Sequence, residues 1–258
     1  MPALLSMRNK TSTPAGLRLS KSESDALRRL DLHKIPRHIA VIMDGNGRWA
    51  KDRHMPRVFG HRAGMESVRE IVRASAELHV EVLTLYAFSS ENWARPPAEV
   101  QALMALLKEY LSRELPELNA NRVRLRTIGR TDGLPDGAQH SLVKAIDATS
   151  HNAGLILNLA LNYGGRQEIV DACNRAIRSG VKTFDDDTIS RFLYTADCPD
   201  PDLLIRTSGE RRLSNFLLWQ LAYTEIYVTS VPWPAFRRPQ FYEALADYQR
   251  RERRFGGL

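Results

Sequence analysis

The sequence predicts a single α/β domain built on a six-stranded, mostly parallel sheet flanked by helices. Three observations predict it. Apolar or β-branched runs of strand length recur at 38–43, 82–88, 122–128, 155–161, 202–206 and 225–229. At least one helical segment separates each run from the next, and strands joined by such crossovers lie parallel. Glycine and polar residues gather where the runs end, which is where an open parallel sheet binds its ligands. A chain of 258 residues with 43% hydrophobic content is long enough to bury one substantial core.

The first strand carries the most information. Ile39-Ala40-Val41-Ile42-Met43 is an unbroken apolar run that stops at Asp44-Gly45-Asn46-Gly47-Arg48-Trp49. Taken alone, Asp-Gly-Asn-Gly is as readily a hairpin turn as a phosphate loop. A hairpin needs a second alternating strand, and the stretch after Trp49 is instead basic and helical. Arg48, Lys51, Arg53, Arg57, His61 and Arg62 lead into a stripe of Met65, Val68, Ile71, Val72 and Leu78. The segment therefore reads as strand, anion-binding loop, helix. Asp44 offers the hard oxygen that Mg²⁺ favours, and Arg48 a forked donor for phosphate. Neither G-x-x-x-x-G-K-[ST] nor G-x-G-x-x-G occurs in it.

The second strand ends in Ser89-Ser90-Glu91-Asn92-Trp93-Ala94-Arg95, after which Pro96-Pro97 starts a helix with a stripe of Val100, Leu103, Met104, Leu107, Tyr110 and Leu111. The fourth ends in Asn162-Tyr163-Gly164-Gly165-Arg166, followed by a stripe of Ile169, Val170, Cys173 and Ile177. Asp185-Asp186-Asp187 precedes a helical pattern, where acidic residues suit the helix N-terminus. The fifth strand delivers Arg206-Thr207-Ser208-Gly209-Glu210-Arg211-Arg212-Leu213-Ser214-Asn215, and Glu225 opens the sixth. Four strand ends thus bring phosphate-competent residues to one rim.

A formal charge of +7 favours acidic partners: phosphorylated small molecules, nucleic acid or an anionic membrane surface. Cys173 and Cys198 lack C-x-x-C spacing and read as free thiols in a reducing, cytoplasmic setting. No apolar run is long enough to span a bilayer. Residues 1–34 lack the apolar core of a secretory signal and read as a flexible extension with a short helix from Ser24 to Leu30; residues 35–258 read as the α/β domain.

Five ordered motifs resemble the cis-prenyltransferase (isoprenyl transferase) family, in particular its bacterial members that form undecaprenyl diphosphate. They are Asp44 to Ala50, Phe88 to Trp93, Asn162 to Arg166, Arg206 to Glu210 and Ser214 to Gln220. The resemblance implies the family's fold with an apolar tunnel, and repeated condensation of isopentenyl diphosphate onto an allylic diphosphate, farnesyl diphosphate by expectation, each new double bond being cis. It assigns the allylic diphosphate to Gly45, Asn46, Gly47, Arg48, Arg57 and His61, with Trp49 nearby. Isopentenyl diphosphate goes to Arg206, Arg212, Leu213 and Ser214. Asp44 would hold Mg²⁺, Glu225 would help place it, and Asn92 with Ser89, Ser90, Glu91, Trp93 and Arg95 would line the reacting centre. An amide is a poor base, so Asn92 reads as a positioning group or relay, with the diphosphate itself as the alternative proton acceptor. The tunnel candidates are Met65, Val68, Ile71, Leu85, Ala87, Leu103, Leu106, Leu107, Leu155 and Leu157.

The resemblance also implies a homodimer, a lipid product used as a carrier for cell-wall sugars, and transient peripheral contact with the inner membrane face. In such a dimer the terminal Arg254-Phe255-Gly256 would reach the neighbouring subunit's isopentenyl site. A shorter-chain synthase remains an alternative. A catalytically dead partner subunit would be expected to lose Asp44 or the glycines, and both are present. A nucleic-acid-binding module would have no need of Asp44, Glu91 and Glu225, so no nucleic-acid partner is expected.

Overall fold

Helices cover both faces of the sheet, which is why its strands read as apolar runs and not as alternating patterns. In the computed structural model, which describes residues 20–251, β1 (His38–Ile42), β2 (Val82–Ser89), β3 (Arg124–Ile128), β4 (Ile156–Tyr163), β5 (Leu203–Arg206) and β6 (Glu225–Val228) form one sheet of order β3-β4-β2-β1-β5-β6. Every neighbouring pair is parallel.

Alternation survives beneath the apolar runs. Ile39, Val41, Leu83, Leu85, Leu157, Leu203 and Ile205 point into one core, shared with α3 (Arg57–Glu77), α4 (Pro97–Ala120), α5 (Asp136–Thr149) and α8 (Arg238–Gln249). Ala40, Ile42, Ile128, Ala160 and Leu204 point the other way, into a smaller core closed by Phe216, Leu217 and Leu221. Beside it α6 (Gly165–Arg178) packs on α7 (Asp186–Phe192). Asp185 caps α7, its Oδ1 accepting from Thr188 N–H at 2.7 Å, as the acidic run predicts.

The parallel sheet is as the sequence predicts; other expectations need correction. No helix separates β5 from β6: residues 207–224 are an irregular crossover. The α6 stripe is misphased, because its packed face is Gly165, Glu168, Ala172 and Ala176, while Val170 is 54% and Ile177 58% exposed. The first helix, α1, runs Lys21–Leu27 behind a Ser20 capping box, earlier than expected. Residues 20–34 are not a free extension. Leu30 enters the main core, and Gln249 bonds Asp31 and Lys34.

From β1 the chain moves to β2, β3 and β4 on one side and later returns to β5 and β6 on the other. The carboxyl ends of β1, β2 and β5 therefore flank the topological switch point, the crevice where such sheets bind ligands.

Candidate active site

The loop after β1 is held by backbone before any ligand arrives. Gly45 sits at φ +99, and a Cβ there would lie 2.6 Å from Ser208 Oγ, so both conformation and space demand glycine. Thr207 Oγ1 donates to the Asp44 carbonyl at 2.7 Å, and Trp233 N–H to the same oxygen at 2.9 Å. The short α2 (Asn46–Lys51) then crosses α3 so closely that a Cβ on Gly60 would meet the Asn46 carbonyl oxygen at 2.0 Å.

Asp44 is the electrostatic centre. Its Oδ1 accepts from Gly45 N–H at 2.7 Å and lies 3.5 Å from Arg48 Nη2, while its Oδ2 accepts from Arg206 Nη2 at 3.0 Å. Arg206, whose side chain is 4% exposed, also donates from Nη1 to Ser214 Oγ at 2.8 Å and to the Arg212 carbonyl. Glu210 bridges Arg48 at 3.4 Å and Arg212 at 2.5 Å. On the other side of the cavity head, Glu99 gathers Arg95 at 2.9 Å, Arg57 at 3.5 Å and His61 at 3.5 Å. Burial, then the charge of Arg95, holds His61 below its usual pKa against the pull of Glu99. The chain thus neutralises two basic clusters with its own carboxylates, Asp44 and Glu210 in one and Glu99 in the other.

Asn92 belongs to a one-turn 3-10 segment, Ser90–Ala94, whose capping box ties Asn92 Oδ1 to Ser89 N–H at 3.2 Å. Glu91 accepts from Asn215 Nδ2 at 2.9 Å and from Ser90 Oγ at 3.3 Å. Burial would raise the Glu91 pKa, but these donors outweigh it and hold the carboxyl below its usual value.

Beneath this polar head opens a cavity of about 640 Å³, lined by Met65 and Val68 of α3, Leu103, Leu106, Leu107 and Tyr110 of α4, and Leu85, Leu159 and Leu161 of the sheet. Of the sequence-predicted polar residues, Asp44, Asn46, His61, Ser89, Glu91, Asn92, Arg95, Arg206, Arg212 and Ser214 line the same cavity. Arg57 and Arg48 reach it through their ion pairs with Glu99 and Asp44, and Gly47 leaves room for the Arg57 guanidinium, which a Cβ would approach to 2.9 Å.

Other expected residues lie elsewhere. Trp49 stacks under Arg53, 4.1 Å from its ring centre. Trp93 packs edge-on to Phe88 and donates to Asn162. Leu213 packs on the smaller core. Ile71, Leu155 and Leu157 are core residues and do not line the cavity, whereas Ala87 does. Glu225 is the clearest correction. It is in register with Leu203 at the amino end of β5, while Asp44 lies beyond Ile42, which is level with Arg206. Three residue steps separate Leu203 from Arg206, so the gap exceeds about 10 Å along the strand direction. Glu225 pairs with Arg251 at 2.7 Å, so within one chain it cannot share an ion with Asp44. The terminal Arg254, Phe255 and Gly256 lie outside the described residues.

Among the described residues no group of three or more His, Cys, Asp or Glu side chains could hold a metal ion unaided. The donors present nevertheless fit Mg²⁺. Asp44 supplies a carboxylate, and Asn46 Oδ1 is a buried acceptor without a hydrogen-bond partner on the same cavity wall. Mg²⁺ needs one or two such oxygens when phosphates complete its shell.

An apolar channel capped by two cationic clusters suits a ligand with an anionic head and an apolar tail, the class of ligand that enzymes acting on diphosphate esters of hydrocarbon chains take. Residues 42–256 match the family model described as "Putative undecaprenyl diphosphate synthase". The chain is 53% identical over 252 residues to an isoprenyl transferase of Heliobacterium mobile, covering 95% of this chain and 97% of that protein. It is 55% identical over 229 residues to one of Geobacter sulfurreducens, covering 86% and 93%. Among solved structures, lavandulyl diphosphate synthase from Lavandula x intermedia, in complex with dimethylallyl diphosphate, superposes with a TM-score of 0.84 at 35% identity, covering 87% of this chain and 100% of that one. A probable undecaprenyl diphosphate synthase from Campylobacter jejuni superposes at 0.74 and 33% identity, covering 86% and 99%. The chain belongs to the isoprenyl transferase family of cis-prenyltransferases.

Proposed function

We propose that this enzyme condenses isopentenyl diphosphate repeatedly onto farnesyl diphosphate, forming cis double bonds and ending at undecaprenyl diphosphate, a lipid carrier for cell-wall sugars. The observation that carries the reading is the continuity of the cavity: two basic clusters flank Asp44 at its head, and apolar side chains from α3, α4 and the sheet form its body.

In each cycle the allylic C–O bond breaks and diphosphate leaves with the bonding electrons. The C=C of isopentenyl diphosphate attacks the allylic carbon, and loss of a proton closes the new double bond. Arg57, His61 and Arg95, which gather at Glu99, would hold the allylic diphosphate and exchange Glu99 for it. Arg206, Arg212 and Ser214 would hold the second diphosphate, so that its alkene could approach to about 3 to 3.5 Å from the cationic carbon. Asp44 and Asn46 would hold Mg²⁺, which when bound would neutralise charge building on the leaving oxygens. Asn92 already commits its carbonyl oxygen to Ser89 N–H, which supports a positioning role and leaves diphosphate oxygens as proton acceptor.

A homodimer is part of the same reading. Its support is β6, an edge strand on which Ile226 is exposed beside exposed Tyr223. Transient peripheral contact with the membrane would hand on the product; no helix among the described residues is long and apolar enough to cross a membrane. Incubation with farnesyl diphosphate, labelled isopentenyl diphosphate and Mg²⁺, followed by sizing of the dephosphorylated products, tests the assignment. A dominant C55 product is expected; products ending at shorter lengths would favour the shorter-chain alternative.

A further inference from the structure

We propose that Asn215 is a positioning residue that pins the β5–β6 crossover to the loop after β2, and thereby sets the isopentenyl-side groups against Glu91 and Asn92. The inference rests on the prenyl-transfer reading and adds to it a residue whose side chain joins three strand ends.

Asn215 directly follows Ser214 and lines the cavity head. Its Oδ1 accepts from Arg166 N–H at 2.9 Å, at the start of α6. Its Nδ2 donates to Glu91 Oε1 at 2.9 Å and to Gln167 Oε1 at 3.3 Å. Its carbonyl accepts from Gly165 N–H at 2.6 Å. One residue of the β5–β6 crossover thus holds the end of β4 through backbone and the end of β2 through a carboxylate.

The surroundings are shaped for this residue. Ser214, Asn215 and Leu217 all adopt positive φ, at 50°, 59° and 44°. Three non-glycine residues in the left-handed region within four positions are costly, and such strain persists only where neighbouring contacts enforce it. Gly164 has an extended φ of −155°, open to any residue, so its glycine answers to space. A Cβ there would lie 2.7 Å from Asn215 Nδ2, 2.8 Å from Ser90 Oγ and 2.2 Å from Gln167 Oε1. The Gly164-Gly165 turn is therefore cut to admit the Asn215 side chain between β2 and β4.

Asparagine is the residue type that the two contacts require. One partner is a backbone donor and the other a carboxylate acceptor, so the side chain must present an oxygen and an NH₂ at once. Aspartate keeps the oxygen for Arg166 but sets a second carboxylate against Glu91. Alanine loses both contacts.

The test compares Asn215→Asp and Asn215→Ala with the intact chain in steady-state kinetics, thermal unfolding and calorimetric titration with inorganic diphosphate. Asn215→Asp is expected to unfold near the wild-type temperature, to raise KM for isopentenyl diphosphate about tenfold and to shift farnesyl diphosphate affinity less than about twofold. The acid limb of its kcat/KM profile should move to higher pH, because paired carboxylates raise one another's pKa. Asn215→Ala should show the same KM split without the shift caused by the second carboxylate. Wild-type KM and an unmoved acid limb in Asn215→Asp would overturn the proposal, as would equal losses for both substrates. If wild-type protein transfers no prenyl group, the parent reading fails by itself; diphosphate affinity unchanged in both variants would then overturn the pinning role independently.

Discussion

Arg206 donates from Nη2 to Asp44 Oδ2 at 3.0 Å. Its Nη1 bonds Ser214 at the same time, so one buried cation spans the carboxylate after β1 and the crossover after β5. Asp44 therefore has two roles that substitution can separate. It is a candidate oxygen ligand for Mg²⁺, and it is the counter-ion of a guanidinium taken out of water.

Asp44→Ala should lower turnover at least about a hundredfold, through lost charge stabilisation of several kcal/mol in the transition state. It should also cost roughly 1 to 3 kcal/mol of stability, since Arg206 is left buried without its partner. Asp44→Asn keeps the shape and one of the two acceptor oxygens but not the charge opposite Arg206, so it should match the kinetic loss with a smaller change in Tm than Asp44→Ala. Initial rates at saturating Mg²⁺ and thermal melts measure both effects. Retention of more than a tenth of wild-type kcat in either variant contradicts the assignment.

The cavity makes a second prediction. Leu107 and Leu161 line its apolar body from opposite walls, one on α4 and one on β4. Leu107→Trp or Leu161→Trp should shorten the products while leaving the first condensation within a fewfold of wild type, because the added ring obstructs the growing tail and spares the polar head. Product sizing after brief and long incubation separates the two effects. A wild-type length distribution from both variants would mean that the tail grows elsewhere.

How far the sequence can be read depends on which property each element expresses. The loop from Asp44 to Arg48 is legible as a strand–loop–helix turn because the stretch after its glycines is basic and helical, where a hairpin needs a second strand. The α6 stripe is not, because its buried face holds Glu168 with Ala172 and Ala176 while Val170 and Ile177 face solvent. Glu225 is misplaced by sequence reasoning because residue order does not show which rim a strand begins on; register with Leu203 does. Glu99 goes unnoticed because its partners come from separate elements: Arg95, at 2.9 Å, stands in extended backbone before α4, and Arg57 and His61 are on α3. Asn215 lies inside the Ser214 to Gln220 motif, but its function is visible only once Glu91 and Arg166 are brought beside it.

A third prediction concerns pH and lies away from the site. His38 is fully buried in β1, its Nδ1 2.6 Å from the Pro199 carbonyl and its Nε2 2.8 Å from Thr84 Oγ1. A carbonyl can only accept, so Nδ1 carries the proton and Nε2 accepts from the threonine hydroxyl. Burial pushes the His38 pKa down to about 4, outweighing the bond to Pro199 and the attraction of Asp202. The unfolded chain takes up this proton near its ordinary pKa of about 6.5, and the folded chain only near 4. The resulting stability is complete above the unfolded value and is lost as pH falls across that window, by roughly 3 kcal/mol in all. Denaturant unfolding from pH 7 to 4 should show this slope, and His38→Asn should flatten it at some cost in absolute stability. Identical slopes in the two proteins would mean that His38 is not the group responsible.

The functional reading stands on two separate diphosphate sites that flank Asp44 at the head of one cavity. The affinity of Arg57→Ala and Arg212→Ala for each substrate separately, by KM and by equilibrium titration, decides whether they are separate. Arg57→Ala should weaken farnesyl diphosphate about tenfold or more and leave isopentenyl diphosphate nearly unchanged, and Arg212→Ala should do the reverse. Arg206→Ala should disturb both affinity and kcat, because Arg206 bonds Asp44 as well as Ser214. If Arg57→Ala and Arg212→Ala instead weaken both substrates equally, the two clusters form a single site and the two-site arrangement is wrong.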